Sequence, residues 1–273
     1  GGEQDQIGQE DTPEQFIENL VDVFRSVRDV LTDDGTLWVN IGDSYYNYRP
    51  GKGQALVKQT VSKTERDQPQ QCARRANKLE GLKEKDLIGI PWMLAFALRA
   101  DGWYLRQDII WHKPNPMPES VRDRCTKSHE YLFLLSKNKK YYYDNEAIKE
   151  PVKQDWGTRD RTGGKYHNPG TGLQPHSGLS KSYERKNKRD VWSITNKPYK
   201  GAHFAVFPPE LIEPCILAGS QEGDIVLDPF MGSGTTGMVA KKHFRSFIGC
   251  ELHEDYASLQ SDRIDSIPPQ LVL

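Results

Sequence analysis

The sequence predicts an α/β fold built on a mostly parallel sheet, with one inserted polar region. Helix-turn-strand units recur in the first half, a strand, a glycine loop, a helix and a strand follow one another between 225 and 250, and residues 151–200 are basic and poor in aliphatic side chains. Helices that alternate with short apolar strands are typical of parallel sheets. A chain of 273 residues with 36% hydrophobic side chains is long enough for one such core with an insertion.

The first unit begins with a helix predicted over 12–31. Its apolar residues, which include Phe16, Leu20, Phe24 and Val27, recur every three or four positions, and Thr12 precedes a proline at the helix start. This pattern is typical of a capped amphipathic helix. An Asp-Asp-Gly turn at 33–35 then leads into the apolar run 36–42, which predicts a buried strand.

The same reasoning predicts the remaining elements. A helix is expected over 90–99, and strands over 104–111 and 130–136, the latter in a hairpin with 141–143. From Pro209 onward the expected elements are a helix over 210–218, a strand over 225–227, a helix over 236–242 and a strand over 247–250.

Charge is segregated along the chain although the net charge is only −1. Residues 151–200 hold 11 basic and 4 acidic side chains, and residues 49–85 hold 10 and 4, whereas the flanking segments are acidic or balanced. Such basic stretches on an acidic body are what a phosphate-binding face would need, although solvated surface loops would have the same composition.

Composition also narrows the class of protein. The four cysteines are scattered without a Cys-x-x-Cys pair, so the sequence predicts neither a disulfide framework nor a metal site. No run approaches the roughly 20 apolar residues that span a bilayer, and the acidic amino-terminal stretch has no secretory pattern. We therefore expect an intracellular, cytoplasmic protein without a membrane partner.

The glycine loop at 228–236 reads Asp-Pro-Phe-Met-Gly-Ser-Gly-Thr-Thr. Gly232 and Gly234 would let the backbone approach a ligand closely, because glycine has no Cβ. Glu251 lies at the tip of the next predicted strand, 17 residues after Gly234, where an acidic side chain can accept hydrogen bonds from a ribose diol. Spacing alone leaves a simple tight turn, or a nicotinamide site, as alternatives.

The loop as a whole resembles the cofactor loop of S-adenosylmethionine-dependent DNA amino-methyltransferases, which modify adenine N6 or cytosine N4. Its late position in the chain, after a segment 197–208 that is similar to the one preceding this loop in the permuted (β) group, indicates that group. The resemblance implies a Rossmann-like methyltransferase sheet, with S-adenosylmethionine as cofactor. The cofactor-binding residues that it implies are Asp228, Phe230, Gly232, Gly234, Thr235, Thr236, Glu251, His203 and Phe204.

The resemblance also divides the chain into three parts. Residues 1–150 would form the catalytic half of the methyltransferase domain, with a polar excursion at 49–85. Residues 151–200 would be a basic target-recognition insertion, and residues 201–273 the cofactor-binding half of the same domain. Double-stranded DNA is the expected partner, a restriction-modification system the expected context, and a homodimer is common in the permuted group.

The catalytic tetrapeptide of this family, a polar residue followed by Pro-Pro and an aromatic, does not occur in the sequence. The double prolines at 208–209 and 268–269 lack both flanking residues. In the permuted order the tetrapeptide would precede the turn at 5–8, so we expect it before Gly1, and no catalytic residue is assigned within the chain. A degenerate, non-catalytic homologue is the alternative. The target base therefore stays open between adenine and cytosine, with a preference for adenine N6.

A flipped base needs a pocket, and DNA needs basic contacts. Aromatic candidates for the pocket are Tyr45, Tyr46, Tyr48 and Trp111, with His112 and Lys113 beside them, although core packing would explain these residues equally well. The candidates for DNA contact are Arg159, Arg161, Lys165, Arg185, Lys186, Lys188 and Arg189. Three alternative functions stay open: an RNA or protein methyltransferase, a non-catalytic DNA-binding homologue and, more distantly, a nicotinamide oxidoreductase.

Overall fold

We analysed a computed structural model of the chain, which describes residues 6–46, 79, 81–152, 184–196 and 207–267. Helix α1 spans Pro13–Val30, with Thr12 as its N-cap accepting a hydrogen bond from the Gln15 N–H. The buried residues of α1 include Leu20, Phe24 and Val27, as the apolar period predicts. The turn after α1 then leads into strand β1 (Thr36–Ile41).

Helix α2 (Ile90–Ala100), strand β2 (Tyr104–His112) and strand β3 (His129–Ser136) follow. Three short strands come next: β4 (Glu150–Pro151), β5 (Arg185–Lys186) and β6 (Val191–Ser193). The last part of the described chain contains α3 (Pro209–Gly219), β7 (Ile225–Asp228), α4 (Thr235–Lys242), β8 (Ser246–Gly249) and α5 (Glu254–Asp265).

The largest sheet has the strand order β1-β3-β2-β6. Strand β3 is antiparallel to both β1 and β2, while β6 is parallel to β2. Strands β1, β2 and β6 therefore run in the same direction, and their carboxyl ends lie at one edge of the sheet. A second sheet pairs β7 with β8 in parallel, and β4 pairs with β5 in an antiparallel ribbon.

Helices cover both faces of the large sheet. On one face, α1 and α2 pack against alternate residues of β1 and β3, such as Leu37, Phe133 and Leu135. On the other face, Leu211 and Cys215 of α3 pack with side chains of β2, β3 and β6. The result is a three-layer α/β/α core, because each strand presents apolar side chains to both faces. Helices α3 and α4 cover one face of the β7–β8 pair.

The predicted α/β fold class is confirmed, with two differences in the strands. The hairpin predicted between 130–136 and 141–143 is wrong: β3 already has a strand on each edge, so 141–143 has no strand edge to join, and Tyr142 makes a single backbone bond to Asp34. The sheet also extends into the segment predicted as an insertion, since Trp192 of β6 is buried beside Trp111.

Candidate functional site

The glycine loop connects β7 to α4, and Asp228 fixes its shape. One carboxylate oxygen of Asp228 accepts the Phe230 N–H at 2.9 Å, and the other accepts the hydroxyl of Thr236 in the first turn of α4. Both oxygens of Asp228 therefore hold the two ends of the loop together. Thr235, the other threonine predicted to bind cofactor, is buried in the first turn of α4.

Both loop glycines have a backbone conformation that other residues rarely adopt. Gly232 has φ 52° and Gly234 has φ 81°, in the left-handed region that favours glycine. A Cβ on Gly234 would lie 3.2 Å from Cα of Gln260 in α5. The loop therefore needs glycine at 234 both for its backbone angle and for the close approach of α5.

Glu251, beyond the end of β8, contacts the same loop. Its carboxylate accepts the Gly232 N–H at 2.8 Å with one oxygen and the His253 N–H at 2.9 Å with the other. An ionised carboxylate has about four lone-pair sites. Two positions on Glu251 therefore remain for hydroxyl donors, which is the capacity that a ribose diol requires.

Helix α5 contacts the glycine loop through two side chains, and the sequence patterns did not predict this helix. The Gln260 side-chain amide donates to the Gly232 carbonyl at 2.8 Å, and the Arg263 guanidinium donates to the Ser233 hydroxyl at 2.7 Å. The stretch 250–267 contains neither glycine nor proline, a signal that could have predicted this helix.

The aromatic ring of Phe230 connects the loop to the first helix. It lies edge-on to the buried Phe24 of α1, with ring centroids 6.3 Å apart, and the side chain is still 48% exposed. The exposed part can cover an adenine ring, so the loop, Phe230 and Glu251 fit the cofactor that the sequence predicts. His203 and Phe204, also predicted to bind it, lie outside the described residues.

The predicted base-pocket aromatics divide into packed and accessible residues. Trp111 is 3% exposed and donates to the Ile194 carbonyl, and Tyr46 is buried with its hydroxyl accepting the Leu79 N–H. Both are parts of the core. Tyr45 is half-buried with the Arg124 guanidinium 4.0 Å from its ring centroid, whereas Tyr48 lies outside the described residues.

A polar network joins the strand ends at the edge where β1, β2 and β6 terminate. Lys113 forms an ion pair with Glu130 and lies over the Trp111 ring. The Asn40 side chain of β1 donates to the Tyr131 carbonyl at 2.9 Å and to Glu130 at 3.3 Å. These contacts link the strand ends, and Asn40 and Glu130 are residues that the sequence patterns did not indicate.

His112 belongs to the same edge of the sheet. Its Nδ1 lies 3.0 Å from the hydroxyl of Ser193 at the end of β6. This contact ties together the carboxyl ends of two parallel strands, so it gives His112 a structural partner.

The basic residues predicted to contact DNA are described only at the end of their segment. Arg189 and Lys186 both pair with Glu150 of β4, and Arg185 donates to the Lys149 carbonyl. Burial alone would raise the pKa of Glu150, but Arg189 and Lys186 outweigh it and hold that pKa below its ordinary value. Lys188 lies over the Trp192 ring. Arg159, Arg161 and Lys165 lie outside the described residues.

Comparison with known proteins identifies the family. The sequence model of the DNA methylase family that acts on N6 and N4 amino groups matches residues 1–262. The chain belongs to this family of DNA methyltransferases. It is an S-adenosylmethionine-dependent enzyme, as the resemblance of the glycine loop predicts.

Curated relatives of this DNA methyltransferase include several Type II methyltransferases. The Type II methyltransferase M.SmaI of Serratia marcescens is 50% identical over 259 residues, which cover 95% of this chain and 77% of that protein. The Type II methyltransferase M.Cfr9I of Citrobacter freundii is 48% identical over 263 residues, covering 96% of this chain and 76% of that protein.

Solved methyltransferase structures share the fold. The PvuII DNA methyltransferase (cytosine-N4-specific) superposes with a TM-score of 0.62 at 16% identity, covering 98% of this chain and 77% of that one. A Thermus thermophilus protein assigned as a DNA modification methylase, solved with S-adenosyl-L-methionine, gives 0.57 at 22% identity over 94% of this chain and 80% of that one. These likenesses confirm the Rossmann-like methyltransferase fold.

The comparisons also bear on the target base, and the helix lengths bear on membrane crossing. The preference for adenine N6 finds no support in these comparisons, because the matching family model covers methylases of both N6 and N4. Within the described ranges, no helix of this methyltransferase is long and apolar enough to cross a membrane.

Proposed function

We propose that this enzyme methylates N4 of cytosine at a specific site in double-stranded DNA. The observation that carries the proposal is the bond between Glu251 and the Gly232 N–H, because it joins the acidic strand tip and the glycine turn into one site for the methyl donor. Family membership supplies the reaction class. The preference for cytosine rests on the PvuII enzyme, whose name specifies that base.

The cofactor supplies an electrophilic methyl group on a sulfonium, and this chain supplies its orientation. Gly232 and Gly234 allow the backbone to approach the ligand, the free lone pairs of Glu251 accept the ribose hydroxyls, and Phe230 covers the adenine. His203 and Phe204 are proposed to contact the methionine end. Holding the donor and acceptor in line supplies much of the rate in such a transfer.

The acceptor side requires the polar-Pro-Pro-aromatic tetrapeptide, which we propose is contributed by residues that precede Gly1. The strand edges support this proposal. Within the described residues, β1 pairs only with β3, and β7 pairs only with β8, while Leu227 of β7 packs against the same core cluster as β1. One additional strand between β1 and β7 would join the two sheets and bring its end beside the glycine loop.

The DNA-binding role is assigned to the basic segment 151–200. Its arginines and lysines would bind phosphates, while a few side chains would read base edges. The target base has to leave the stack, at a cost of a few kcal/mol. We infer that the enzyme acts inside the cell, on the DNA that a restriction-modification system protects. A homodimer stays a prediction from the family resemblance.

The test uses the natural full-length protein with methyl-labelled S-adenosylmethionine and plasmid DNA. After digestion to nucleosides, we expect the label in N4-methylcytosine. Label in N6-methyladenine would contradict the choice of base. Label only when RNA of the same sequence is supplied would favour the RNA methyltransferase alternative, and transfer to neither substrate would favour a non-catalytic homologue.

A further inference from the structure

We propose that Met117 enters the DNA base stack at the position that the flipped nucleotide leaves. This proposal rests on the proposed action on duplex DNA. Met117 lies in the loop between β2 and β3 and is 82% exposed, more than any other large hydrophobic side chain among the described residues. Val121, in the same loop, is 42% exposed. The loop between β2 and β3 therefore carries two exposed apolar side chains.

The loop leaves the sheet at the edge where ligands bind. Strands β1, β2 and β6 run parallel to one another, and the loop begins directly after His112, the last residue of β2. In open α/β sheets, ligands bind outside the carboxyl ends of the strands. Met117 is therefore on the side of the molecule that must face the target base.

The base of the loop is held rigidly. Asn115 and Asn196 exchange two hydrogen bonds of 3.1 Å, which tie the loop to the chain that follows β6. Arg124 pairs with Glu119 on the other side of Met117. These contacts hold the loop on both sides of a side chain that itself projects into solvent.

Prolines stiffen the loop further. Pro114, Pro116 and Pro118 alternate with the other residues around Met117, and each fixes its own φ and restricts the preceding residue. Little backbone entropy would thus be lost when Met117 enters a partner.

The chemistry of the tip fits a gap in a base stack. Flipping a nucleotide leaves an apolar void between the neighbouring bases, and methionine is among the side chains that proteins insert between base steps. Its flexible thioether adapts to such irregular spaces. The exposed Arg122 beside Val121 offers a cation to the adjoining phosphate. Filling the gap would hold the flipped state open while the methyl group is transferred.

The test compares Met117→Ala with Met117→Leu in the full-length enzyme. The substrates are the duplex that the wild type methylates and the same duplex with an abasic site opposite the target base. We expect Met117→Ala to lower kcat/KM on the paired duplex about tenfold to hundredfold, in keeping with a flipping cost of a few kcal/mol. The abasic duplex should restore most of the rate, because its target base is already unpaired, and Met117→Leu should stay near wild type.

Several results would overturn the inference. Met117→Ala could match the wild type on the paired duplex, or lose the same factor on both duplexes, which would indicate a merely structural or phosphate-contact role. A changed affinity for S-adenosylmethionine in Met117→Ala would also contradict it. If the wild type transferred methyl groups to no duplex at all, so that no paired substrate could be chosen, the failure would belong to the proposed function instead.

Discussion

The carboxylates of Asp228 and Glu251 show how far residue types alone predict a site. The sequence predicts that both lie at the cofactor site, from their positions before and after the glycine loop. The structure adds that Asp228 uses its oxygens to bind Phe230 and Thr236, while Glu251 holds the Gly232 N–H. Sequence spacing predicts which residues meet, but the hydrogen-bond partner of each oxygen depends on the loop's backbone path, which spacing does not encode.

Gly234 should be intolerant of a side chain for two separable reasons. Gly234→Ala introduces strain at φ 81° and places Cβ 3.2 Å from Gln260 Cα, whereas Gly223→Ala introduces the same type of strain at φ 89° with open space around Cβ. We expect Gly234→Ala to lower the free energy of unfolding by about 1 kcal/mol more than Gly223→Ala does. Urea unfolding of both variants measures the difference, and equal losses would show that α5 does not press on the loop.

At the scale of elements, the long periodic segments were predictable and the short strands were not. The observed ends of α1 and α2 lie within two residues of the predicted ones. The sequence could predict them because α1 has a clear apolar period and a glycine follows α2. Strands β4, β5 and β6 span only two or three residues, too few to show an alternation. Their pairing is decided by tertiary packing, as the burial of Trp192 against Trp111 illustrates.

Helices α3 and α4 are joined by an ion-pair cluster that should make stability depend on pH. Glu213 accepts hydrogen bonds from Lys242 and His243, both at 2.7 Å. Burial alone would raise the pKa of Glu213, but these two partners outweigh it and lower that pKa below its ordinary value of 4.5. The stabilisation is therefore fully present above about pH 4.5 and is lost as pH falls through the lowered pKa.

Glu213→Gln should consequently lower the free energy of unfolding by about 1 kcal/mol at pH 7, with the gap closing in acid. Urea unfolding at a series of pH values between 7 and about 3 measures this. Glu222→Gln serves as the control, because Glu222 is exposed. A gap that stayed constant down to the lowest pH would contradict the role of the Glu213 charge.

At the scale of the whole molecule, two features of the sequence carried the predictions. Chain order predicted the methyltransferase group, and charge distribution predicted the DNA-binding segment. The late glycine loop indicated the permuted group, and the chain belongs to the N6/N4 DNA methylase family over residues 1–262. Base choice could not be predicted, because the tetrapeptide that hints at it is absent from the sequence. The position of β6 in the main sheet was likewise hidden, since its segment is compositionally an insertion.

DNA affinity should fall steeply with added salt if the basic segment binds phosphates. The triple variant Arg159→Ala, Arg161→Ala, Lys165→Ala should weaken DNA binding. It should also make the negative slope of log K against log salt shallower, by about one for each phosphate that is no longer bound. A control that removes two cations replaces Lys139 and Lys140, which are exposed beyond the end of β3 at the opposite edge of the sheet. Equal slopes for both variants would place the DNA elsewhere.

The central claim is that the loop between β7 and α4 holds the methyl donor, and calorimetric titration of the full-length protein with S-adenosylmethionine tests it most directly. The backbone at Gly232 has φ 52°, a conformation that aspartate and asparagine tolerate. Of the two variants, only Gly232→Asp adds a charge beside Glu251. We expect Gly232→Asn to weaken S-adenosylmethionine binding and Gly232→Asp to abolish it. Thermal melting should show that both variants are folded. Wild-type affinity in a folded Gly232→Asp variant would contradict the assignment of this loop.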